Sequence, residues 1–305
     1  MRSQRGVAAV TAILIVAVAA SASMMMLAQQ SAMVDRTLMI AARAQADLYA
    51  QAGVDWARAV LAEDARTAKE VDTLGEGWAQ PIAALPVDRA LVAGRIVDEQ
   101  GKMNLNNLVN GAAKSDPDVR MFRALLALLD LSPELADAVV DWIDRDADLA
   151  GNAGAEDAYY LSLPQPYRAA NRPMAQVEEL YRVRGFDARA VARLKPYVTA
   201  LPTRTATNVN TAADVVLAAL LGLSRDRVQA LVTERSARPF RQKADFAARA
   251  TAVGAAAIDV DHDVKSAHFL VTVTVAQDDV RLATEALVRR GDNAQVALVW
   301  RRPRY

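Results

Sequence analysis

Residues 7–27 read VAAVTAILIVAVAASASMMML, an apolar run of 21 residues without a charge. Arg2 and Arg5 stand just before the run, and the first acidic residue after it is Asp35. About 20 consecutive apolar residues are enough for a helix to span a bilayer. Because basic residues stay on the cytoplasmic side, the run predicts a single-pass membrane protein with a cytoplasmic N-terminus and an exported remainder.

Three kinds of N-terminal segment fit this run. A cleaved signal peptide would use the small residues Ala20-Ser-Ala22 as its cleavage site, whereas a plain membrane anchor would keep the whole segment. The third kind is a prepilin leader, residues 1–6, which is cut between Gly6 and Val7 and leaves the apolar run in place. The leader is favoured because the run begins directly after Gly6 and continues well past residue 22.

The helix that starts in this run is predicted to continue far beyond the membrane. No Gly or Pro occurs from residue 7 to residue 52, and Gly53 is a lone glycine that a helix can tolerate. One helix over residues 7–62 would be roughly 84 Å long at 1.5 Å per residue. Only its first part, residues 7–27, is needed to cross the bilayer.

Composition excludes several classes of protein. The 305 residues include 36 basic and 36 acidic side chains, so no bulk positive charge is available for binding nucleic acid. There is no cysteine, which removes disulfide scaffolds, Cys-ligated metals and thiol catalysis. Only His262 and His268 could serve a histidine-dependent metal site or catalytic triad, and neither has an obvious partner in sequence. The sequence therefore offers no catalytic residue.

Patterning beyond the long helix predicts an α+β fold with an inserted helical domain. Gly and Pro residues mark loops over 75–86, and the β-branched stretch 90–97 predicts a strand that turns at 98–101 and returns over 102–106. Three further strands are predicted at 268–276, 280–289 and 295–301, whereas residues 107–257 are helical in pattern. We therefore expect a small antiparallel sheet built from 63–106 and 258–305, with the long helix packed on it.

The helical insertion contains an internal repeat. Ala127-Leu-Leu-Asp-Leu-Ser132 and Ala219-Leu-Leu-Gly-Leu-Ser224 align at a constant offset of 92 residues. Both are typical of helix-hairpin-helix units, which can present backbone N–H groups to a phosphate. Asp130 stands where a phosphate would sit in the first hairpin, and the second has only Gly222, so a packing role is favoured. A membrane-anchored DNA-binding protein remains the alternative.

An acidic loop carries the clearest chemical signal. Residues 141–157 hold six carboxylates and one arginine, and glycines within them allow the chain to turn back on itself. Clustered carboxylates repel one another unless a cation neutralises them, and Ca²⁺ accepts six to eight oxygen ligands in loose geometry. The spacing differs from that of an EF-hand, and a solvated acidic loop is the competing interpretation. A paired-carboxylate glycosidase or another calcium-dependent hydrolase is disfavoured, since neither aromatic sugar platforms nor a nucleophile motif accompany the loop.

Eight short motifs, in order along the chain, resemble the minor pseudopilin K family of the bacterial type II secretion system (general secretion pathway protein K). They are Gln4-Arg-Gly6, Gly101-Lys-Met-Asn-Leu-Asn-Asn107, Asp141-Trp-Ile-Asp144-x-Asp146, Gly154-Ala-Glu-Asp157, Asn171-Arg-Pro-Met-Ala175, Glu178-Glu-Leu180, Arg184-Gly-Phe186 and Asn208-Val-Asn-Thr-Ala212. One such motif would be weak, but the ordered set is specific.

The resemblance implies a pilin fold with a large helical insertion that binds calcium. It also implies a non-catalytic role at the tip of the pseudopilus, beside minor pseudopilins I and J and above the major pseudopilin G. The prepilin peptidase and the inner-membrane platform of the secretion system would be further partners, with the globular part in the periplasm. The calcium ligands carried over are Asp144, Asp146, Glu156 and Asp157, with Asp141 and Asp148 as additional candidates.

Thr11 supports a tip position. It is the fifth residue of the predicted mature chain. Pilins that the family resembles usually carry a glutamate there, which pairs with the N-terminal ammonium of an adjacent subunit inside the membrane. A carboxylate in a membrane is costly unless it is paired. A subunit with no neighbour above it has no ammonium to neutralise, so threonine is the less costly residue.

Overall fold

The computed structural model describes residues 3–67, 70–111 and 113–304. Its first element is a single helix, α1 (Ser3–Thr67), which contains the predicted helix 7–62 and extends past both of its ends. Within the described residues α1 is the one helix long and apolar enough to cross a membrane, and the apolar window is fully exposed. Met1 and Arg2 of the predicted leader lie outside the described residues.

A five-stranded antiparallel sheet packs against the C-terminal half of α1. The strands in chain order are β1 (Ile82–Val87), β2 (Ala90–Asp98), β3 (Met103–Asn104), β4 (Val109–Asn110), β5 (Ala113–Lys114), β6 (Val198–Thr199), β7 (Thr207–Asn208), β8 (His262–Asp263), β9 (His268–Gln277), β10 (Val280–Arg290) and β11 (Val296–Pro303). The sheet order is β1-β2-β9-β10-β11, and β3 to β8 form three separate two-residue pairs. The predicted α+β fold is therefore confirmed.

One face of α1 forms the core of this sheet. Five buried positions, spaced three or four residues apart on the helix, contact the inward-facing side chains of β9: they are Ala46, Ala50, Val54, Ala57 and Leu61. Phe269, Val271, Val273 and Val275 alternate along β9 and all face α1. Because three of the five helix positions are alanine, the helix axis lies close to the sheet.

Two local predictions in the sheet region are wrong. Residues 75–86 include the edge strand β1, where Pro86 is tolerated because an edge strand has one unpaired side. The predicted return of residues 102–106 along β2 does not occur. After a 3₁₀ turn over Glu99–Gly101, β3 pairs in parallel with β6, 95 residues further along the chain. Local alternation cannot distinguish these two partners.

The helices between β2 and β9 form a second body with its own core. They are α2 (Asp116–Leu128), α3 (Leu135–Ile143), α4 (Asp157–Leu161), α5 (Ala188–Leu194), α6 (Asp214–Leu221), α7 (Arg225–Ala237) and α8 (Lys243–Ala252). Fully buried residues such as Phe122, Tyr160 and Phe240 belong to this core and not to the one under the sheet. We call residues 103–264 the helical body.

The internal repeat is visible in the geometry of the two turns. Asp130 and Gly222 occupy the same left-handed position after α2 and α6, with φ of 51° and 63°. In each turn the next residue donates to the carbonyl five positions back: Leu131 N to Leu126 O at 2.9 Å, and Leu223 N to Ala218 O at 3.0 Å. Glycine adopts this backbone at little cost, whereas Asp130 needs a compensating contact. Its carboxylate accepts a hydrogen bond from Arg193 Nη2 at 2.7 Å.

The helical body joins the sheet through one buried carboxylate. Asp98, at the end of β2, is 5 % exposed. Its Oδ2 accepts hydrogen bonds from Asn208 Nδ2 at 3.0 Å, Ser266 Oγ at 2.6 Å and Thr211 Oγ1 at 2.5 Å. Because Asn208 and Thr211 belong to the helical body and Ser266 to the segment that leads into β9, Asp98 fixes the helical body to the sheet.

The end of α1 meets the same junction. Arg290 of β10 donates to Asp64 Oδ2, near the end of α1, at 2.8 Å and also to Asp72. Asp72 in turn accepts from Ser266 N at 2.7 Å. The helical body therefore lies past the C-terminal end of α1, the end opposite to the apolar run.

Candidate metal centre

Three of the acidic-loop carboxylates lie at helix ends. Asp141 is in the last turn of α3, and Asp144 is the residue at which α3 stops. The chain then loops out and returns so that Glu156 directly precedes α4. The end of one helix and the start of another therefore face a common loop, which the sequence spacing alone did not define.

These three carboxylates are buried and incompletely bonded. Asp141 is 0 %, Asp144 6 % and Glu156 7 % exposed. One oxygen of each, Asp141 Oδ2, Asp144 Oδ1 and Glu156 Oε1, is buried without a hydrogen-bond partner among the described residues. A buried carboxylate oxygen without a donor is costly, and this cost disappears when a cation is bound.

The electrostatics of the loop agree with this geometry. Burial, together with the charges of Asp146 and Asp141, raises the pKa of Asp144 to about 7. Burial and the charges of Asp141 and Asp144 raise the pKa of Glu156 to about 7 in the same way. Burial also raises the pKa of Asp141, against the hydrogen bond that its Oδ1 accepts from Ala150 N at 2.8 Å. A divalent cation would reverse these shifts, because it favours the ionised form.

The other three predicted ligands have different surroundings. Asp146 and Asp148 are exposed, and Asp146 Oδ1 accepts from the backbone N–H of Asp148 at 3.0 Å. Asp157 Oδ1 accepts from Ala169 N at 3.0 Å, and its Oδ2 lies 3.7 Å from Arg168. The six predicted ligands therefore divide into three with unpartnered buried oxygens and three in other contacts.

Asn171 shares one property with the three buried carboxylates, a buried oxygen that accepts no hydrogen bond from the described residues. Its Oδ1 is another buried oxygen without a partner in the described structure. Asn171 has a φ of 46°, and its N–H donates to Trp142 O, in the last turn of α3, at 3.0 Å. The motif Asn171-Arg-Pro-Met-Ala175 marked this residue in the sequence, but gave it no role, because Asn171 lies 15 residues beyond Glu156.

Gly154 explains how the loop packs so tightly on α3. A Cβ at this position would overlap Asp141 Oδ2. Gly154 O also accepts a hydrogen bond from Arg184 Nη1 at 2.8 Å, which fixes the loop from its other side. Any larger residue at position 154 would push the loop away from the buried carboxylate.

The donor set therefore fits a hard cation, although the carboxylates are not drawn together. The four unpartnered atoms of this group, one each from Asp141, Asp144, Glu156 and Asn171, are all oxygens, the ligand type that Ca²⁺ takes. Among the described residues, the only three carboxylates with oxygens mutually within 4.8 Å are Asp64, Asp72 and Glu76, at the end of α1. That second group is already neutralised in part by Arg290. The acidic loop is the better candidate because its buried oxygens have no cationic partner.

The remaining predicted site residues lie on α1. Apart from its chain neighbours and the backbone of α1, no atom of the described residues lies within 4 Å of where a Cβ of Gly6 would stand, and Val7 is 66 % exposed. In the part of the chain that the structure describes, the predicted cleavage position is therefore sterically open. Thr11 Oγ1 donates to Val7 O within the helix at 2.8 Å. This hydroxyl is therefore satisfied inside the helix without a partner molecule.

Comparisons with known proteins agree along the whole chain. Family models described as type II secretion system, protein K match residues 101–203 and 207–265. Type II secretion system protein K of Pseudomonas aeruginosa is 35% identical, over 98% of this chain and 93% of its own length. The Aeromonas hydrophila protein of that name is 34% identical, over 97% and 96%.

A solved structure supports the same assignment. The chain is similar to a chain in the crystal structure of the GspK-GspI-GspJ complex from the enterotoxigenic Escherichia coli type 2 secretion system. The TM-score is 0.77 at 26% identity, and the match covers 88% of this chain and 99% of the other. The two family-model matches correspond to the two repeats of the helical body, with the acidic loop inside the first.

Proposed function

Since the chain belongs to the type II secretion system protein K family and is one of its minor pseudopilins, we propose that it occupies the tip of the pseudopilus. There it helps to initiate and cap assembly of the filament that exports folded proteins from the periplasm. It does so as a structural subunit, without catalysis. A membrane-anchored DNA-binding protein, the alternative from the sequence, has no support in the comparisons.

The observation that carries this proposal is the place of the helical body. The body joins the sheet at Asp98 and lies past the C-terminal end of α1, where Arg290 contacts Asp64. In a filament whose subunits stack along their long helices, the next subunit would need the space beyond this end. A body of about 160 residues there, larger than the roughly 100 residues of a common small domain, would block that position.

Thr11 adds a second argument. A carboxylate at this depth of a membrane would need a cationic partner. Thr11 instead satisfies its hydroxyl on the Val7 carbonyl at 2.8 Å, so it requires no ammonium from an adjacent subunit. A subunit with no neighbour above it meets this condition.

The partners follow from the tip position. Minor pseudopilins I and J would contact the subunit directly, since the similar solved chain is part of a complex with GspI and GspJ. The major pseudopilin G would continue the filament below them. The inner-membrane platform would extrude the filament, after the prepilin peptidase had cut between Gly6 and Val7. α1 would cross the inner membrane once, with its N-terminus cytoplasmic and the globular part periplasmic.

Calcium in the acidic loop would have a structural role. Asp141, Asp144 and Glu156 would hold the ion with their unpartnered oxygens, and Asn171 Oδ1 offers a fourth. Asp146, Asp148 and Asp157 would supply further ligands through their other oxygens. When bound, the ion supplies charge neutralisation and a link between the end of α3 and the start of α4.

Labelled protein on sheared filaments tests the tip position. Pseudopili assembled with a gold-labelled copy of this chain should carry gold at one end. A matched preparation with labelled major pseudopilin should be decorated along its length. Gold from this chain distributed along the filament shaft would reject the tip position, while leaving membership of the family untouched.

A further inference from the structure

A groove runs along the face of the sheet that is turned away from α1. Its first part lies between β9, β10 and β11 on one side and residues 175–178 and 198–201 of the helical body on the other, with a volume of about 570 Å³. Its second part, about 440 Å³, lies over the helical body and adjoins the first, since both are lined by Ala175, Gln176 and Glu178. We call these two adjoining depressions the cationic groove.

Basic side chains outnumber acidic ones in the groove. Its lining holds eight basic and four acidic side chains, although the whole chain has a net charge of zero. Each glutamate of the first part already has a cation: Glu99 pairs with Lys102, Glu178 with Lys195, and Glu285 with Arg302. In the described part of the chain, six of the eight basic side chains are in ion pairs, so the uncompensated positive charge lies on the other two.

Two arginines of the groove lack a carboxylate. Within the described residues neither Arg95, in the first part, nor Arg182, in the second, makes an ion pair. Burial raises the pKa of Glu178, which lies where the two parts meet, but Lys195 and the nearby Arg302 outweigh burial and lower the pKa overall. Glu178 is therefore ionised and already paired with Lys195, so the charge left for a ligand is that of Arg95 and Arg182.

The floor of the groove combines a charged row with an apolar row. Arg95, Thr272, Glu285 and Arg302 are cross-strand neighbours in one row. Leu270, Leu287 and Trp300 form the adjacent row on the same face. Thr272 Oγ1 is buried in the charged row without a hydrogen-bond partner in the described structure.

From these observations we infer that the cationic groove docks an extended, acidic segment of a partner protein, with apolar side chains interspersed among its carboxylates. Carboxylates would accept charge-assisted hydrogen bonds from Arg95 and Arg182, and apolar side chains would cover Leu270 and Trp300. A peptide fits better than a nucleic acid, because Leu270 and Leu287 offer aliphatic surface that apolar side chains would cover, whereas bases stack on aromatic rings.

The location of the groove restricts which partner can reach it. Side chains alternate along β9, so Val271 and Val273 face α1 while Leu270 faces the groove. Neighbours that pack along α1 therefore leave the cationic groove open. The partner is a protein that approaches the subunit from the side opposite α1.

Peptide binding to the full-length chain in a non-ionic detergent tests this inference. A fluorescent peptide of alternating Glu and Leu should bind, and a peptide of alternating Lys and Leu should not. Arg95→Gln should weaken binding of the Glu–Leu peptide by about tenfold or more, as expected for the loss of one charge-assisted hydrogen bond. Arg182→Gln should weaken binding of this peptide by a similar factor.

Arg227→Gln is the matched control, because Arg227 is an exposed arginine of α7 outside the groove lining. It should leave peptide affinity unchanged, and melting curves should show that all variants are folded. Equal binding of both peptides, or equal loss in Arg227→Gln, would overturn the inference. So would tighter binding of a short duplex DNA at the same arginines, or a dimer of the chain that Arg95→Gln disrupts.

Discussion

Gly53 of α1 lies so close to Val273 of β9 that a Cβ at position 53 would stand 2.9 Å from Val273 Cγ1. Such a distance is well inside the contact distance of two carbon atoms. In the sequence Gly53 was a glycine that a helix could tolerate. In the structure it lets α1 approach the centre of the sheet.

Gly53→Val should therefore lower the free energy of unfolding by about 1–3 kcal/mol, the usual cost of overpacking a core. In the Val273→Ala background the same substitution should cost less, because the space is then free. Ala52→Val, at the exposed neighbouring position, is the control and should cost about 0.7 kcal/mol or less through helix propensity. Denaturant unfolding in detergent measures the wild type, the three single variants and the double variant. Equal costs at positions 52 and 53 would show that the helix can move away from β9.

Calcium should raise the melting temperature of the full-length protein. A ligand that binds only the folded state adds about 2.7 kcal/mol at a hundredfold excess over its Kd. Asp144→Asn should abolish the response to calcium. In chelator at pH 8 the same variant should be at least as stable as the wild type, because the raised pKa of Asp144 shows that its charge is unfavourable in the ion-free fold.

Asp130→Asn provides the control for this experiment. Asp130 is an exposed carboxylate of the helical body that pairs with Arg193, outside the acidic loop. The Asp130→Asn variant should retain the full calcium response. A melting temperature that chelator leaves unchanged in the wild type would show that the acidic loop binds no calcium.

Leader processing should depend on the size of the residue at position 6. Gly6→Glu should block cleavage, because the peptidase must bring its catalytic groups close to this backbone, whereas Gly6→Ala should still be cut. Mass analysis of the mature N-terminus distinguishes the outcomes: the wild type should begin at Val7 and carry an N-methyl group. A mature chain that begins at Ser23 would instead identify a signal peptide and remove the pilin-type anchor.

His268 should make the protein less stable in acid. Burial and then the charge of Arg289 lower the pKa of this imidazole to about 4, against 6.5 for an ordinary histidine. Between these two pH values the unfolded chain binds the proton and the folded chain does not. Stability is therefore lost as pH falls from about 6.5 to about 4, by about 2–3 kcal/mol at pH 4.5.

His268→Gln should remove this dependence while keeping a polar group near Gln100, whose Oε1 lies 3.3 Å from His268 Nδ1. Melting at pH 7.5 and pH 4.5 in chelator gives the comparison: the variant should lose less stability between the two values than the wild type. His262→Gln, at the half-buried second histidine, is the control. Between the two pH values it should still lose most of the stability that the wild type loses. Identical pH dependence in wild type and His268→Gln would contradict the assignment.

Local sequence rules predicted the elements whose structure depends on near neighbours. The uncharged run 7–27 and the absence of Gly and Pro up to residue 52 predicted α1, because backbone hydrogen bonds in a helix join residues four apart. Alternating β-branched residues predicted β2, β9, β10 and β11 to within about two residues for the same reason. The offset of 92 residues predicted the related turns at Asp130 and Gly222.

The contacts between distant segments were decided by tertiary structure. Six loop carboxylates looked equivalent in sequence, but the ends of α3 and α4 bury only Asp141, Asp144 and Glu156 with unpartnered oxygens. Asn171 joins this group because the chain after α4 returns to the end of α3, where the N–H of Asn171 donates to Trp142 O. The partner of β3 and the alignment of charges across β9, β10 and β11 depend in the same way on pairings many residues apart. Such pairings are selected by the burial of whole faces, which no local sequence pattern specifies.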